Sequence, residues 1–343
     1  MKHKQLLLSV FVLILSATAW ANVEINEENF PDENFRNWIL SQDYGTDEVL
    51  TDEEIANITS IYLWFMSIQS LQGIEYFTAL TELDCGDNQL AALDVSKNTK
   101  LETLNCYGNQ LTALDVSKNT ALTKLECNYN QLTALDVSGC TALTTLACNN
   151  NQLTALDMSK NTALINLSCE NNPLTALDVS KNTALIYLSC HNNQLTALDV
   201  SQNTALADLY CYNNQLTALD VSGCTALKRL DCYENQLKGA GMNALVESLP
   251  TRPAKTGYLY VIWNENDGNA MTTTQVAAAK AKGWMPLYYH EKFLIDYEGS
   301  DPNSISPTLC SVNNSVYYDL SGHRVKKVKK GVYVIGDKKV AVK

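Results

Sequence analysis

Histidine, the side chain most often used as a general base, is scarce in this sequence of 343 residues. Its four copies are scattered, at His3, His191, His290 and His323. No nucleophile–base pair and no clustered acid pair lies on a segment that would form a pocket, as a catalytic site requires. The sequence therefore does not predict an enzyme.

Basic residues are also unevenly spread. Lysine and arginine gather towards the two ends, and the middle of the chain lacks the basic stripe that a nucleic-acid partner would need. The formal net charge of -12 favours solubility and says little about fold. Beyond the N-terminus, no apolar run approaches the roughly 20 residues that span a bilayer. We predict neither a nucleic-acid partner nor a transmembrane segment.

The N-terminus has the three parts of a secretion signal. Positive charges at Lys2 and Lys4 precede an apolar run from Leu6 to Leu15, and small residues follow around Trp20. The apolar run is too short for a membrane anchor. Residues 1–21 are therefore predicted to be a cleaved signal peptide, which makes the mature protein an exported one.

A 21-residue repeat dominates the rest of the sequence. Its pattern is Leu-x-x-Leu-x-Cys-x-x-Asn-x-Leu, with a degenerate copy beginning at Ile58. The eight regular copies begin at Leu80, Leu101, Leu122, Leu143, Leu164, Leu185, Leu206 and Leu227. The pattern resembles the leucine-rich repeat and covers residues 58–237. This resemblance implies an α/β-type solenoid, a coil with a parallel sheet on its concave face.

The repeat also has the physical properties of a stacked coil. Leu83 and Cys85 alternate with polar neighbours, which predicts a short strand with one buried face. One coil cannot bury its own apolar residues, but stacked coils share a core. The asparagine three residues after each strand cysteine, Asn88 in the first copy, is predicted to satisfy loop backbone groups. A second polar column, mostly asparagine, is expected to mark another corner of the coil.

Eight of the eleven cysteines occupy one repeat position. They are Cys85, Cys106, Cys127, Cys148, Cys169, Cys190, Cys211 and Cys232. Neighbours in such a row stand about one strand spacing apart, which is wider than the Cβ separation of about 3.8 Å in a disulfide. Ligands in a straight row also cannot surround a zinc ion. The spacing favours a small apolar filler over a disulfide or metal ladder.

The repeats differ from one another mainly at positions beside the buried strand residues. These positions point away from the core, whereas the segment Leu-Thr-Ala-Leu-Asp-Val-Ser is nearly constant. A variable surface on a fixed frame is typical of a recognition site, although unconstrained drift would give the same pattern. The predicted ligand-binding residues are Tyr107, Glu126, Tyr187, Asp208, Tyr210, Tyr212, Arg229 and Tyr233.

Residues 22–57 are predicted to form a helical N-terminal cap. Its segment 43–54 resembles a degenerate EF-hand loop, in which calcium would be held by Asp43, Asp47, Thr51 and Glu54. The segment has Gly45 in place of one ligand and Glu48 in place of the turn glycine. Calcium is thus the one cofactor that the sequence suggests, and a helical cap without a metal is the favoured alternative.

The other end of the repeats is predicted to be closed by residues 238–297. A helix over Gly239–Leu249 is followed by a strand over Tyr258–Trp263, a second helix over Thr272–Gly283 and a strand over Trp284–Tyr289. This β-α-β unit would cover the exposed edge of the core, as a terminal cap must.

Residues 298–343 are predicted to be a linker and a small β module. The segments Tyr318-Asp-Leu-Ser-Gly322 and Gly331-Val-Tyr-Val334, with the final lysines, resemble the C-terminal sorting domain of Bacteroidetes type IX secretion substrates. The resemblance implies export to the cell surface. A plain β-hairpin with a basic turn is the alternative, and it would leave the protein in the periplasm.

The signal, the cap, the cysteine-bearing repeats and the β tail together resemble exported Bacteroidetes leucine-rich-repeat proteins. The repeats are also similar to the cysteine-ladder branch of bacterial internalins. That resemblance implies a non-enzymatic, adhesin-like protein that binds a protein ligand, such as a host or mucus component, on its concave face. A carbohydrate-binding accessory role is the alternative, and the oligomeric state is left open.

Overall fold

The computed structural model describes residues 22–264, 266–290 and 293–300, together with four short strands beyond them. The predicted signal peptide, residues 1–21, lies outside the described residues, as do Cys310 and His323. The tail strands are Tyr317–Tyr318, Arg324–Val325, Gly331–Ile335 and Lys338–Val342 (β15–β18). The first two extend the edge of the main sheet and the last two pair with each other.

A parallel sheet runs along the whole molecule. Its repeat strands β3–β11 are Ser60–Tyr62, Glu82–Asp84, Thr103–Asn105, Lys124–Glu126, Thr145–Ala147, Asn166–Ser168, Tyr187–Ser189, Asp208–Tyr210 and Arg229–Asp231. Each strand pairs in register with the next, so that equivalent repeat positions stand in straight rows. The predicted leucine-rich-repeat solenoid is confirmed.

The short strands follow from the alternation in the sequence. In each of β3–β11 the central residue is buried and the residue before it is at least partly exposed. The central leucines pack with the cysteines and with the returning residues Leu90 and Val95, and with their equivalents in later coils. One continuous core results, because each coil contributes an apolar layer that only its neighbours can cover.

The predicted asparagine ladder holds successive coils together. Asn109 Nδ2 donates to the carbonyl of Cys85 in the preceding coil at 3.0 Å and to that of Cys106 in its own coil at 3.1 Å. Its Oδ1 accepts from the backbone N–H of Leu90 at 3.0 Å. One buried side chain thus satisfies three backbone groups that the stacking hides from water.

A second ladder does the same at the opposite corner. Asn119 Nδ2 donates to the carbonyl oxygens of Val95 and Asn98 at 3.0 and 2.9 Å. In the next coil Cys140 occupies this position, and its Sγ lies 3.7 Å from the equivalent carbonyls of Val116 and Asn119. A thiol is a weak donor, which explains how cysteine replaces asparagine here.

The strand cysteines lie inside the core. All eight in the row are fully buried, and the described part of the chain contains them as free thiols. Burial raises the pKa of the Cys127 thiol to about 12, which keeps the thiol protonated at neutral pH. Sγ of Cys85 lies 3.4 Å from the Asn105 carbonyl of the next coil. These side chains fill a narrow space between strands, as an apolar filler would.

The N-terminal cap is built from β1 (Val23–Glu24), α1 (Glu33–Leu40), β2 (Val49–Leu50) and α2 (Asp52–Asn57). Asp32 caps α1 by accepting from the Phe35 N–H. Its second oxygen accepts from the N–H of Gln69 at 2.7 Å, which ties the helix to the first coil. Phe30, Phe35 and Ile39 then cover the end of the core.

The C-terminal cap contains α3 (Ala240–Ser248), β12 (Gly257–Ile262), α4 (Thr273–Ala281), β13 (Trp284–His290) and β14 (Phe293–Asp296). Strands β12 and β13 continue the parallel sheet after β11, and β14 adds an antiparallel strand. Asn269 extends the asparagine ladder here, because its Nδ2 donates to the Cys232 carbonyl at 2.8 Å.

Candidate binding face on the parallel sheet

The outward side chains of strands β3–β11, with the residues after each strand cysteine, form one surface that we call the sheet face. Parallel pairing places equivalent side chains of adjacent coils side by side, for example Tyr187, Asp208 and Arg229. Because the frame beneath is nearly identical in every coil, differences along this surface come from the outward side chains alone. This is where all eight predicted ligand-binding residues lie.

One row of the sheet face brings together aromatic and cationic groups. The rings of Tyr187 and Tyr210 lie 5.4 Å apart. The Arg229 guanidinium lies 5.0 Å from the centre of the Tyr210 ring and 4.5 Å from that of Tyr260. A cation over a ring face is attracted by the ring quadrupole. Asp208 stands between Tyr187 and Arg229 in the neighbouring row and is half-buried.

A second row is a stack of rings. The His191 and Tyr212 ring centres are 4.1 Å apart, those of Tyr212 and Tyr233 are 4.3 Å apart, and those of Tyr233 and Trp263 are 5.0 Å apart. These two rows together form the C-terminal cluster, which comprises Tyr187, His191, Tyr210, Tyr212, Arg229, Tyr233, Tyr260 and Trp263. The tyrosines that the sequence predicted to lie together do so.

Not every predicted residue of this cluster is accessible. Tyr233 is only 7% exposed, because it packs with Tyr260, Met285 and Leu287 in a small second apolar cluster. A ligand on this surface would reach Tyr187, Tyr210 and Tyr212, which are half-buried, but little of Tyr233. The sequence placed Tyr233 on the correct face without showing that β12 and β13 would cover it.

The charges within the cluster are paired. Arg229 Nε and the Asp231 carboxylate lie 2.9 Å apart, and a second contact from Nη2 is 3.0 Å. Burial raises the pKa of Asp231 to about 6, partly opposed by the Arg229 guanidinium. Burial lowers the pKa of His191 to about 4, so this ring is neutral at pH 7. The cluster is therefore a rigid, largely aromatic surface with little free charge.

Two predicted residues lie far from the C-terminal cluster. Glu126 forms an ion pair with Lys124 at 2.9 Å on strand β6. Tyr107 lies nearer the N-terminus, where its hydroxyl donates to Asp87, and the pKa of Tyr107 is raised by that carboxylate. Trp64 Nε1 donates to the Tyr107 hydroxyl at 2.7 Å. The structure thus divides the predicted site between two ends of the sheet face.

The sequence prediction missed aromatic residues at both ends, for the same reason. Trp64 occupies the row of Tyr107, but the step from Leu63 to Cys85 is 22 residues, one more than the repeat. Tyr260 pairs with Asp231 after a step of 29 residues. Extending the alternation of buried and exposed residues into the caps, rather than the strict period, would have found them.

The predicted calcium loop is occupied by its own hydrogen bonds. Thr51 and Glu54 form a capping box at the start of α2, in which Glu54 Oε2 accepts from the Thr51 N–H at 2.8 Å. Asp43 begins a short 3₁₀ turn, and Asp47 accepts from the Val49 N–H at 3.3 Å. Among the residues described, no group of three or more His, Cys, Asp or Glu side chains is arranged to hold a metal.

Comparisons with known proteins agree with this geometry. A family model described as leucine-rich repeats (2 copies) matches residues 78–119 and 120–161. Internalin J of Listeria monocytogenes serotype 4b (strain F2365) is 41% identical over 71 residues, which is 20% of this chain and 8% of internalin J. The solved functional domain of InlJ from Listeria monocytogenes, described as including a cysteine ladder, is 37% identical with a TM-score of 0.64. The solenoid is an internalin-like leucine-rich repeat with a cysteine ladder.

The shared part is limited in extent. The match to the InlJ domain covers 76% of this chain and 55% of that domain. An internalin (inlF) from Listeria monocytogenes is 22% identical with a TM-score of 0.57, and the match covers 77% of this chain and 83% of that one. This second likeness concerns the fold alone. Within the described ranges of the internalin-like chain, no helix is long and apolar enough to cross a membrane.

Proposed function

We propose that this protein is an exported, non-enzymatic binding protein that captures a partner protein on its sheet face. Internalin-like leucine-rich-repeat folds commonly mediate protein binding, which supports this function class. The observation that carries the proposal is the contrast between a constant hydrogen-bonded frame and an outward surface rich in aromatic side chains. Side chains held rigidly before a partner arrives lose little entropy on binding.

The chemistry of the surface is that of a protein interface. Tyr187, Tyr210 and Tyr212 are half-buried, and their rings are fixed by contacts with Arg229 and His191. Tyrosine, tryptophan and arginine are enriched at the centres of protein interfaces. The face is open rather than enclosed, which favours a large partner over a small-molecule substrate.

The proposed site of action is outside the cell. The apolar N-terminal run supports export, and the β tail supports surface attachment through a type IX-like sorting role in a Bacteroidetes organism. Most of the tail and all of residues 1–21 lie outside the described part of the chain. Deleting residues 316–343 and finding the protein still on the cell surface would refute the sorting role.

The binding proposal is tested by capture. Immobilised protein is exposed to a host extract that contains mucus, and the Tyr187→Ala, Tyr210→Ala, Tyr212→Ala triple variant is compared with the unchanged chain. We expect the variant to lose the captured protein while its far-ultraviolet circular dichroism is retained. Asp157→Ala, in a constant turn outside the sheet face, is the matched control and should capture normally.

Two outcomes would overturn the proposal. One is equal capture by the triple variant and the unchanged chain. The other is binding on a glycan array that the triple variant abolishes while no protein is captured, which would establish the carbohydrate-binding alternative instead.

A further inference from the structure

The N-terminal end of the sheet face exposes large aromatic side chains. Tyr62 is 53% exposed, Trp64 57% and Phe65 75%. We call the surface formed by Tyr62, Trp64, Phe65, Tyr107 and the carboxylates of Glu82, Asp84 and Asp87 the N-terminal patch. Adjacent exposed apolar side chains on a soluble protein commonly mark an interaction site.

The backbone at Phe65 is costly for an aromatic residue. Its φ is 59°, in the left-handed region that asparagine and glycine tolerate better than phenylalanine does. The equivalent positions of four later coils are asparagines with the same backbone form, namely Asn150, Asn171, Asn192 and Asn213. Since the Phe65 ring is mostly exposed, packing does not repay this strain. Strain without a packing reward is typical of functional positions.

The rings of the patch are held in place by their polar edges. Trp64 Nε1 donates to the Tyr107 hydroxyl at 2.7 Å and to Asp87 Oδ2 at 3.1 Å. The Tyr107 ring lies over Gly86, where an added Cβ would be 2.5 Å from it. The Tyr62 hydroxyl donates to Glu82 at 2.7 Å. The ring faces therefore remain available while the rings themselves are fixed.

The patch lies in a strongly acidic part of the chain. Residues 22–96 contain sixteen Asp and Glu residues and one basic residue, Arg36, which gives a formal charge of -15. At the face positions 60–65, 81–87 and 102–108 the sequence has no Lys, Arg or His. Arg36 donates to the Phe30 carbonyl at 2.7 Å. The nearest face cation in sequence is Lys124, which is paired with Glu126.

We propose that the N-terminal patch binds a lysine or arginine side chain on an extended segment of the partner protein. The cation would lie against the Trp64 and Phe65 ring faces, with Asp84, Asp87 and Glu82 supplying the negative potential. A glycan would use the same rings but gains nothing from a surrounding excess of carboxylates. The inference rests on the proposed protein-binding function and names the chemistry of its partner at one end of the face.

The test uses the full chain and a short peptide of alternating lysine and glycine. Its binding is measured by calorimetry at low salt, about 20 mM, where surface charges are weakly screened. We expect Trp64→Ala and Phe65→Asn each to weaken binding about threefold or more. Ile186→Thr is the matched control, because Ile186 is another exposed apolar residue and threonine occupies its repeat position elsewhere, as at Thr144. It should leave the affinity unchanged.

Three results would overturn the inference. The first is unchanged peptide affinity in both patch variants, with their folding verified by thermal unfolding. The second is equally tight binding of the same peptide with every lysine acetylated. The third is binding of chitohexaose that depends on Trp64 while the lysine peptide does not bind, which would make the patch a glycan site.

The failure of this inference is distinguishable from failure of the proposed function. If the lysine peptide does not bind but the Tyr187, Tyr210 and Tyr212 variant still loses the captured protein, only the cation site is wrong. If capture is unaffected by that variant, the protein-binding proposal fails whatever the peptide does.

Discussion

The two ends of the sheet face use aromatic side chains in opposite ways. At the C-terminal cluster the rings of Tyr212, Tyr233 and Trp263 stack on one another, and Tyr233 is almost fully buried. At the N-terminal patch the rings of Trp64 and Phe65 are largely exposed, and Phe65 lies on a backbone form that disfavours it. Aromatic content alone thus says little about binding, because burial decides whether a ring stabilises the fold or meets a partner.

The largest expected difference between the two ends is in stability. Tyr233→Ala should lower the free energy of unfolding by about 3 kcal/mol, because it removes a buried ring from the small cluster with Tyr260 and Leu287. Tyr62→Ala should change it by less than about 0.5 kcal/mol, because that ring is exposed. Urea and thermal unfolding monitored by circular dichroism measure both. Equal losses would contradict the division into a packed end and an exposed end.

The frame beneath both ends is expected to be equally important. Asn88→Ala and Asn214→Ala should each lower the free energy of unfolding by about 2 kcal/mol, because each leaves buried carbonyl and N–H groups without a partner. Asn88 donates to the Leu63 carbonyl at 2.7 Å and Asn214 to the Cys190 carbonyl at 3.1 Å. The loss is measured as the shift in the urea midpoint.

Gln89→Ala, next to the ladder and exposed, is the control for this pair. A large loss at Asn214 with none at Asn88 would mean that the frame itself differs between the two ends. The contrast in aromatic packing would then need no separate explanation.

A smaller effect concerns pH and is confined to the C-terminal cluster. Burial raises the pKa of Asp231 to about 6, so the folded chain binds a proton more tightly than the unfolded chain does. The contribution of Asp231 to stability therefore falls as pH rises between about 4 and 6. Burial lowers the pKa of His191 to about 4, which has the opposite sign, since the unfolded chain binds that proton more tightly.

Asp231→Asn and His191→Gln should accordingly change the slope of stability against pH in opposite directions between about pH 4 and 6.5. Each change should be on the order of 1 kcal/mol, because both groups keep some access to solvent and Asp231 keeps Arg229. Thermal midpoints measured across this range test it. Slopes that shift in the same direction would contradict the assigned burial of one of the two groups.

Much of this molecule could be predicted from its sequence because the repeat fixes several properties at once. The period gave the coils, the alternation around Leu83 and Cys85 gave the buried side of each strand, and the asparagine row gave the hydrogen-bonded ladder. The rows of Tyr187, Tyr210 and Tyr212 also followed from the register. Their proximity needed only parallel strands in phase, which the 21-residue step guarantees.

The remainder depended on the caps, where the step changes. Whether Tyr233 is buried depends on strands β12 and β13, whose spacing from β11 is irregular. The exposure of Trp64 and Phe65 depends on the end of the sheet, where no earlier coil stands beside them. Thr51 and Glu54 matched a calcium-loop pattern, but the same two residue types at that spacing also make a capping box.

The smallest expected effect has an unusual sign and bears directly on the N-terminal patch. Phe65→Asn should raise the free energy of unfolding by up to about 1 kcal/mol, because asparagine tolerates the left-handed backbone and the lost ring was mostly exposed. The reverse change, Asn150→Phe, places an aromatic residue on the same backbone form and should lower stability by a similar amount. Both are measured by urea unfolding. A loss of stability in Phe65→Asn would mean that the ring packs against the chain, and the strain at Phe65 would no longer point to a partner.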